Sequence, residues 1–367
     1  MNELKLYESG KAKLIQGDYE GAISDFTKEI EINRISSSRV DFFKFNQSIY
    51  EPIELEDYIH EIEFNFYDQI DPYKIEEYVK IISDYISDYT CAIELNPNYV
   101  AGYYIRAYRY CEFSNYNEAI NDYSKIVELN PNDIVAYNNR ALAKIGNKNY
   151  EGAISDFSKI IELNPNDSIT YSNRAFAKSL FSDNSGAISD YTKLIEFQPL
   201  NAKAYFNRAF AKWGLNDCKG AIIDFDKAIE LGLTNSDIFF HRGRAKFEEK
   251  NFESSILDFT KAIELSPTKM EIYNERAFAK IEIKDYIWAI LDFTSLIELL
   301  KFYSEKYAED YNIDLGNSFF ERGKLKYMLK HNFGASSDMY KAIEFGNNSA
   351  REFISVHLEL AKNDIDF

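Results

Sequence analysis

Apolar residues between Ile134 and Asp167 fall into two helical phases separated by a short polar break. In the first, Tyr137, Ala141 and Ile145 stand at i, i+4 and i+8, which predicts a helix from about Val135 to Gly146. In the second, Ala153, Phe157, Ile160 and Ile161 form the stripe of a helix that begins near Tyr150. Lys148 and Asn149 supply the turn between them. The run Glu162-Leu163-Asn164-Pro165-Asn166 ends the second helix, because proline cannot continue one. Asn166 or Asp167 can cap the helix that follows.

This two-helix pattern repeats. Pro97, Pro131, Pro165 and Pro199 stand 34 residues apart, and Pro267 lies two periods beyond Pro199. The same step of 34 links Asp88, Asp122, Asp156, Asp190, Asp224, Asp258 and Asp292. It also links Arg106, Arg140, Arg174, Arg208, Arg242 and Arg276, and the small residues Ala119, Ala153, Ala187, Ala221, Ser255 and Ala289. A unit of this size cannot bury its own apolar faces; stacking on its neighbours does so. Small residues such as Ala141 and Ala153, one on each helix, let the two backbones approach.

Phase is lost twice. The stretch 34–83 is aromatic and acidic and out of register, with Asp71-Pro72 reading as a cap and the first residue of a long helix ending near Leu95. Later, Arg276 to Arg322 spans 46 residues, twelve more than the period, which predicts an insertion over 301–312 that lengthens a helix. The expected organisation is a first repeat over 1–33, a divergent elongated repeat over 34–97, six regular repeats over 98–300, the insertion, a last repeat over 313–346, and a capping helix and tail over 347–367. In that cap Phe353, Ile354, Leu358 and Ala361 would cover the last open face.

Tyr137, Ala141, Tyr150, Ala153, Phe157 and Pro165, recurring in phase from about Val100 to Leu299, resemble the tetratricopeptide repeat family. The pattern reappears at Phe319, Arg322, Gly323, Ala335 and Asp338, and near the start at Gly10, Tyr19, Ala22 and Phe26. The resemblance implies an all-α, right-handed superhelical solenoid of about nine helix-turn-helix repeats with a C-terminal capping helix. It further implies first helices lining a concave face and second helices a convex one. Two departures stand out. Arg140 and its equivalents occupy a position where the family usually has Leu, and Lys144, Lys178, Lys212, Lys246 and Lys280 one where an aromatic is common. The family's carboxylate clamp is not reproduced, since Asn138 with Leu142 and Ser172 with Phe176 do not supply its side chains.

Two columns carry candidate chemistry. An inward Arg is tolerable only when paired. Arg106, Arg140, Arg174, Arg208, Arg242, Arg276 and Arg322 are each matched by an Asp at the same period, namely Asp122, Asp156, Asp190, Asp224, Asp258, Asp292 and Asp338. An ion-pair ladder is the reading adopted, over an anion-binding one, with the partner either 16 residues after the Arg or 18 before it. The second column is a stripe offset from the core on the first helices: Tyr104, Tyr108, Leu142, Phe176, Phe206, Phe210, Trp213, Phe240, Phe247, Phe278 and Phe320, flanked by Asn139, Asn173 and Asn207. These side chains either line a groove for a partner or pack against the neighbouring first helix. The resemblance implies that such Asn residues can hydrogen-bond the main chain of an extended peptide.

Composition narrows the function. The chain of 367 residues carries 28 Tyr, 28 Phe and 2 Trp, with only 7 Pro and 15 Gly, which suits long helices and short turns. A formal net charge of −18 with no basic run argues against nucleic acid. No stretch approaches 18 consecutive apolar residues and the N-terminus has no signal-peptide core, so no membrane insertion and a cytoplasmic location are expected. Three scattered cysteines, Cys91, Cys111 and Cys218, suggest no disulfide framework. His60, His241, His331 and His357 are far apart, His241 reading as a surface residue in the Asn207 column. No HExxH, CxxC or Gly-rich phosphate loop is present, so no cofactor, metal or catalytic residue is assigned. The expected function is a non-catalytic scaffold that binds another protein or peptide in an aromatic-lined groove. The alternative is an assembly protein that uses the convex face, the ends or the 34–83 segment, with self-association left open.

Overall fold

The structure is a computed structural model and describes residues 86–307 and 311–358. The repeat expected over 1–33, the divergent stretch up to residue 85 and the tail beyond 358, with Ala361, lie outside these residues. Residues 86–95 are helical, and fifteen further α-helices follow. They are α1 Val100–Glu112, α2 Tyr116–Leu129, α3 Ile134–Gly146, α4 Tyr150–Leu163, α5 Ser168–Leu180, α6 Asn184–Phe197 and α7 Ala202–Gly214. Then come α8 Cys218–Glu230, α9 Ser236–Glu248, α10 Phe252–Leu265, α11 Met270–Glu282, α12 Tyr286–Tyr307, α13 Asn312–Met328, α14 Asn332–Glu344 and α15 Ser349–Phe353. A π-helical turn, Ile354–Leu358, continues α15.

The described residues contain no strand, and the fold is an all-α repeat solenoid. The described residues divide into two compact units, one up to Asn207 and one from Arg208 onward. In the first, α1 packs on α2, α3 on α4 and α5 on α6, and α2 packs on α3 and α4 on α5. The same alternation runs through α9 to α14 in the second unit, and α15 packs on α14.

Local chemistry sets each boundary. At the turn inside a repeat, Ser114, Lys148, Ser182, Asn216, Lys250, Lys284 and Lys330 all adopt a left-handed backbone, with φ between 56° and 64°. Around Lys148 the amides of Lys148 and Asn149 donate to the carbonyls of Ile145 and Lys144, a Schellman closure that satisfies two orphan acceptors. The second helix is then capped by Asn149, Asp183 or Asp217, whose side chains accept from the amides of Gly152, Gly186 and Gly220. Between repeats, Asp167 rather than Asn166 caps the next helix, accepting from Ile169 N–H. Where Leu233 replaces the proline, Gly232 at φ 96° stops α8 instead, and only glycine adopts that backbone without strain.

The core is small residues between aromatics. Ala141, Ala153, Phe157 and Ile160 are fully buried with Tyr137 against them. At Gly243 an added Cβ would lie 2.8 Å from the Phe259 ring, so the helices of that pair are closer than even alanine permits. The twelve additional residues are divided between two helices. α12 has 22 residues against 14 in α2, α4, α6 and α10, and α13 has 17 against 13 in the other first helices. Eight residues therefore lengthen α12 and four lengthen α13.

Candidate protein-binding face

The Arg column is a ladder with three contacts per rung. Arg140 Nε and Nη2 donate to the two carboxylate oxygens of Asp156 at 2.9 and 2.6 Å. Arg106, Arg174, Arg208, Arg242, Arg276 and Arg322 hold Asp122, Asp190, Asp224, Asp258, Asp292 and Asp338 in the same way, always the Asp 16 residues onward. The free Nη1 reaches back to the preceding second helix, to Thr90, Ser124, Ser158, Asp226, Thr260 and Thr294 from Arg106, Arg140, Arg174, Arg242, Arg276 and Arg322. Arg322 makes this contact across 28 residues, so the insertion leaves the ladder untouched.

The Lys column completes each rung. Lys144, Lys178, Lys212, Lys246, Lys280 and Lys326 lie within 2.8 Å of the same Asp carboxylates. Two cations therefore share one buried carboxylate, which explains why Lys is tolerated where an aromatic is common. Tyr110 stands in this column in the first described repeat, and there burial pushes the Asp122 carboxyl up against the pull of Arg106. The ladder's acceptors are all satisfied by the protein, so it stitches helices together.

The offset stripe is less uniform. In the first unit Tyr104 is half-buried, its hydroxyl donating to Asp133 at 2.7 Å, and Tyr108 is 43% exposed. Asn139, Leu142 and Phe176 are half-buried, and so is Asn207. Phe206 is only 1% exposed and offers a partner nothing; its position on α7 is turned into the packed interior, as is that of Ser172, its counterpart on α5. Asn173 is also buried, yet its Nδ2 and the Ser172 Oγ beside it have no hydrogen-bond partner among the described residues.

In the second unit Phe210, Trp213 and Phe240 of the stripe gather into one cluster around His241. Phe210 packs edge-on against Phe225, and its ring centroid lies 6.1 Å from Trp213 and 4.4 Å from His241. Phe240 is 5.1 Å from His241. Over these rings lies Arg244, its guanidinium carbon 4.7 Å from the Trp213 centroid and 5.8 Å from that of Phe240. Trp213 Nε1–H donates to Glu248 at 2.8 Å, and Glu275 lies 3.6 Å from Arg244. Phe278, on α11, packs edge-on against Phe293 and remains 36% exposed. Phe247 and Phe320 are half-buried, Phe247 against Phe252 and Phe320 against Phe353 of the terminal helix.

Three members of this cluster were not among the site residues expected from the sequence. His241 is half-buried, its ring against Phe210, Trp213 and Phe240, and loss of solvent holds its imidazole down at about 4. Arg244 stands in the Phe210–Phe278 column, and Glu275, whose carboxyl is pushed up by burial, in the Asn207–His241 column. The signal was the substitution of a charge within an aromatic or amide column.

Residues 134–167 and 236–269 each match a model of the tetratricopeptide repeat. This chain is a tetratricopeptide repeat protein. Solved structures with a similar fold include the C-terminal part of a tetratricopeptide repeat-containing protein from Cytophaga hutchinsonii, 20% identical over 67% of this chain and 97% of that one, with a TM-score of 0.59. More distant are YrrB, described as a tetratricopeptide repeat protein with an unusual peptide-binding site (22% identity, 52% and 93% coverage, TM-score 0.45), and MamA from Desulfovibrio magneticus RS-1 (19%, 46% and 96%, 0.44). Likeness at this identity shows the fold alone. No curated protein matches the chain. Tetratricopeptide repeats generally mediate protein–protein interactions as non-enzymatic scaffolds. Among the described residues no helix is long and apolar enough to cross a membrane.

Proposed function

We propose that the first-helix face of the second unit, built on Phe210, Trp213, Phe240, Arg244 and Phe278, binds an extended or helical segment of a partner protein. The observation that carries this reading is the Arg244 arrangement. A guanidinium lies against two aromatic rings on a face that also leaves Phe278 open to solvent. Half-exposed aromatics fixed by their neighbours lose little side-chain freedom on binding, the property that makes Trp, Tyr and Arg frequent interface anchors. Comparative capture tests it, with native chain and an Arg244→Glu/Phe278→Glu variant as baits after circular dichroism has shown equal helix content. Loss of a partner from the variant bait supports the reading; equal recovery on both removes it.

A second reading, self-association through the second helices, is favoured by one column. Ile223, Leu257 and Leu291, 34 residues apart, are 66%, 70% and 47% exposed, whereas the equivalent positions in the first unit are Asn121, Ser155 and Ser189. Exposed apolar groupings of this kind usually mark contact surfaces. Light scattering across a hundredfold concentration range separates the two readings. A mass that doubles in native chain and not in an Ile223→Ser/Leu257→Ser/Leu291→Ser variant supports this one.

A further inference from the structure

Cys218 stands in a column that carries Tyr116, Tyr150, Phe252 and Tyr286 in four other repeats. Tyr116 fills with its ring the space beside the end of the next first helix. A Cβ added at Gly146, the last residue of α3, would lie 2.6 Å from that ring. Glu248, the last residue of α9, is the counterpart of Gly146 in the repeat that follows Cys218. The small thiol leaves the space open, and Glu248 enters it. The Cys218 thiol donates to Glu248 Oε2 at 3.0 Å, and Trp213 Nε1–H donates to the same oxygen at 2.8 Å. Burial, with Glu248 adding to it, pushes the thiol up to about 12, so it remains a proton donor.

Arg244 and Glu248, one helical turn apart on α9, hold the half-buried indole from two sides. Arg244 lies against the ring, 4.7 Å from its centroid, and Glu248 takes its N–H edge. The two contacts differ in kind. Packing against Phe210 and His241, each 6.1 Å away between centroids, is non-directional and permits more than one ring orientation. A hydrogen bond is directional and selects one.

We propose that Glu248 is a positioning residue of the partner-binding face: it fixes the orientation of Trp213, the ring that a partner segment meets. This rests on the first-helix face being the partner site. Glu248 acts through Trp213, and Cys218 is the residue whose size lets it do so.

The test labels the full chain with 15N-tryptophan, Trp288→Phe assigning the two indole resonances. The Trp213 Nε1–H should exchange with water about threefold to tenfold more slowly in native chain than in Glu248→Leu, the weight of one hydrogen bond. Glu248→Gln, which keeps an acceptor oxygen, should restore the slow exchange. Cys218→Tyr, which refills the space and leaves the Glu248 carboxylate in the chain, should speed exchange as Glu248→Leu does, and Cys218→Ala should not. The Glu248 variants then serve as capture baits beside native chain and Arg244→Glu/Phe278→Glu. The partner lost from Arg244→Glu/Phe278→Glu should be recovered about threefold less on Glu248→Leu and fully on Glu248→Gln. Equal exchange in native chain and Glu248→Leu overturns the inference and leaves the partner face standing. So does faster exchange with undiminished recovery, or recovery that falls equally on the Leu and Gln baits. Equal recovery on native chain and Arg244→Glu/Phe278→Glu overturns the partner face, and the inference with it.

Discussion

Arg174 shows what a rung of the ladder contributes. Its guanidinium spans Asp190 on one side and Ser158 on the other, and the Asp190 carboxylate is buried. Desolvating such a group is offset only while its cations stay in place. Arg174→Leu should therefore lower stability by about 3 kcal/mol, with Lys178 limiting the loss. Arg174→Leu/Asp190→Leu should lose less than the single variant, because no unpaired charge is left behind. Urea unfolding followed by circular dichroism measures both; a double variant less stable than the single would contradict the pairing. His241 makes a second prediction. Burial among the rings lowers its imidazole to about 4, Arg244 and Lys269 push the same way, and Asp237 on its own helix opposes. The unfolded chain, with an ordinary histidine near 6.5, then takes up the proton first. The contribution is full above that value and is lost as pH falls from about 6.5 toward 4. Between pH 7 and 5 native chain should lose up to about 2 kcal/mol more than His241→Phe in paired unfolding curves. Parallel curves would contradict the buried neutral imidazole.

Turns and helix lengths are set one scale up. Lys148 holds a left-handed backbone that costs a non-glycine residue up to about 1 kcal/mol, so Lys148→Gly should raise stability by about 0.5–1 kcal/mol and Lys148→Val should lower it. The melting midpoint checks the sign. The insertion makes a stronger test of modularity. Replacing residues 300–315 by the four-residue connection Asn130-Pro131-Asn132-Asp133 restores the 34-residue spacing. The variant should fold and unfold cooperatively, losing about 2–4 kcal/mol for the buried Leu300 and Leu315, since the Arg322 contacts to Thr294 and Asp338 lie outside the replaced segment. Failure to fold would show that the added turns are structural. At this scale the sequence was legible because period, proline and apolar stripe all marked the same boundaries. The left-handed turns were not, since Lys and Ser give no warning of positive φ.

For the whole molecule, legibility was uneven. The repeat architecture followed from columns that step by 34, and the Arg–Asp register, open between 16 and 18 residues in the sequence, was closed by helix geometry. The face for a partner was harder to read. Phe206 and Phe210 are four residues apart on one helix, yet one is buried and the other half-buried, a difference set by neighbouring helices and not by residue type. Arg244 was hidden because it breaks the aromatic column whose rings it covers.

The most direct test is site-specific photocrosslinking in the source cells, with p-benzoylphenylalanine placed in turn at Phe278, at Tyr108 and at Leu257 of the full chain. Crosslinks from Phe278 to a defined segment of one partner protein, absent when Arg244→Glu is combined with the probe and absent from Leu257, are the expected result. Crosslinks from Leu257 alone, or to a second copy of the chain with none from Phe278, would contradict a partner site on the first-helix face.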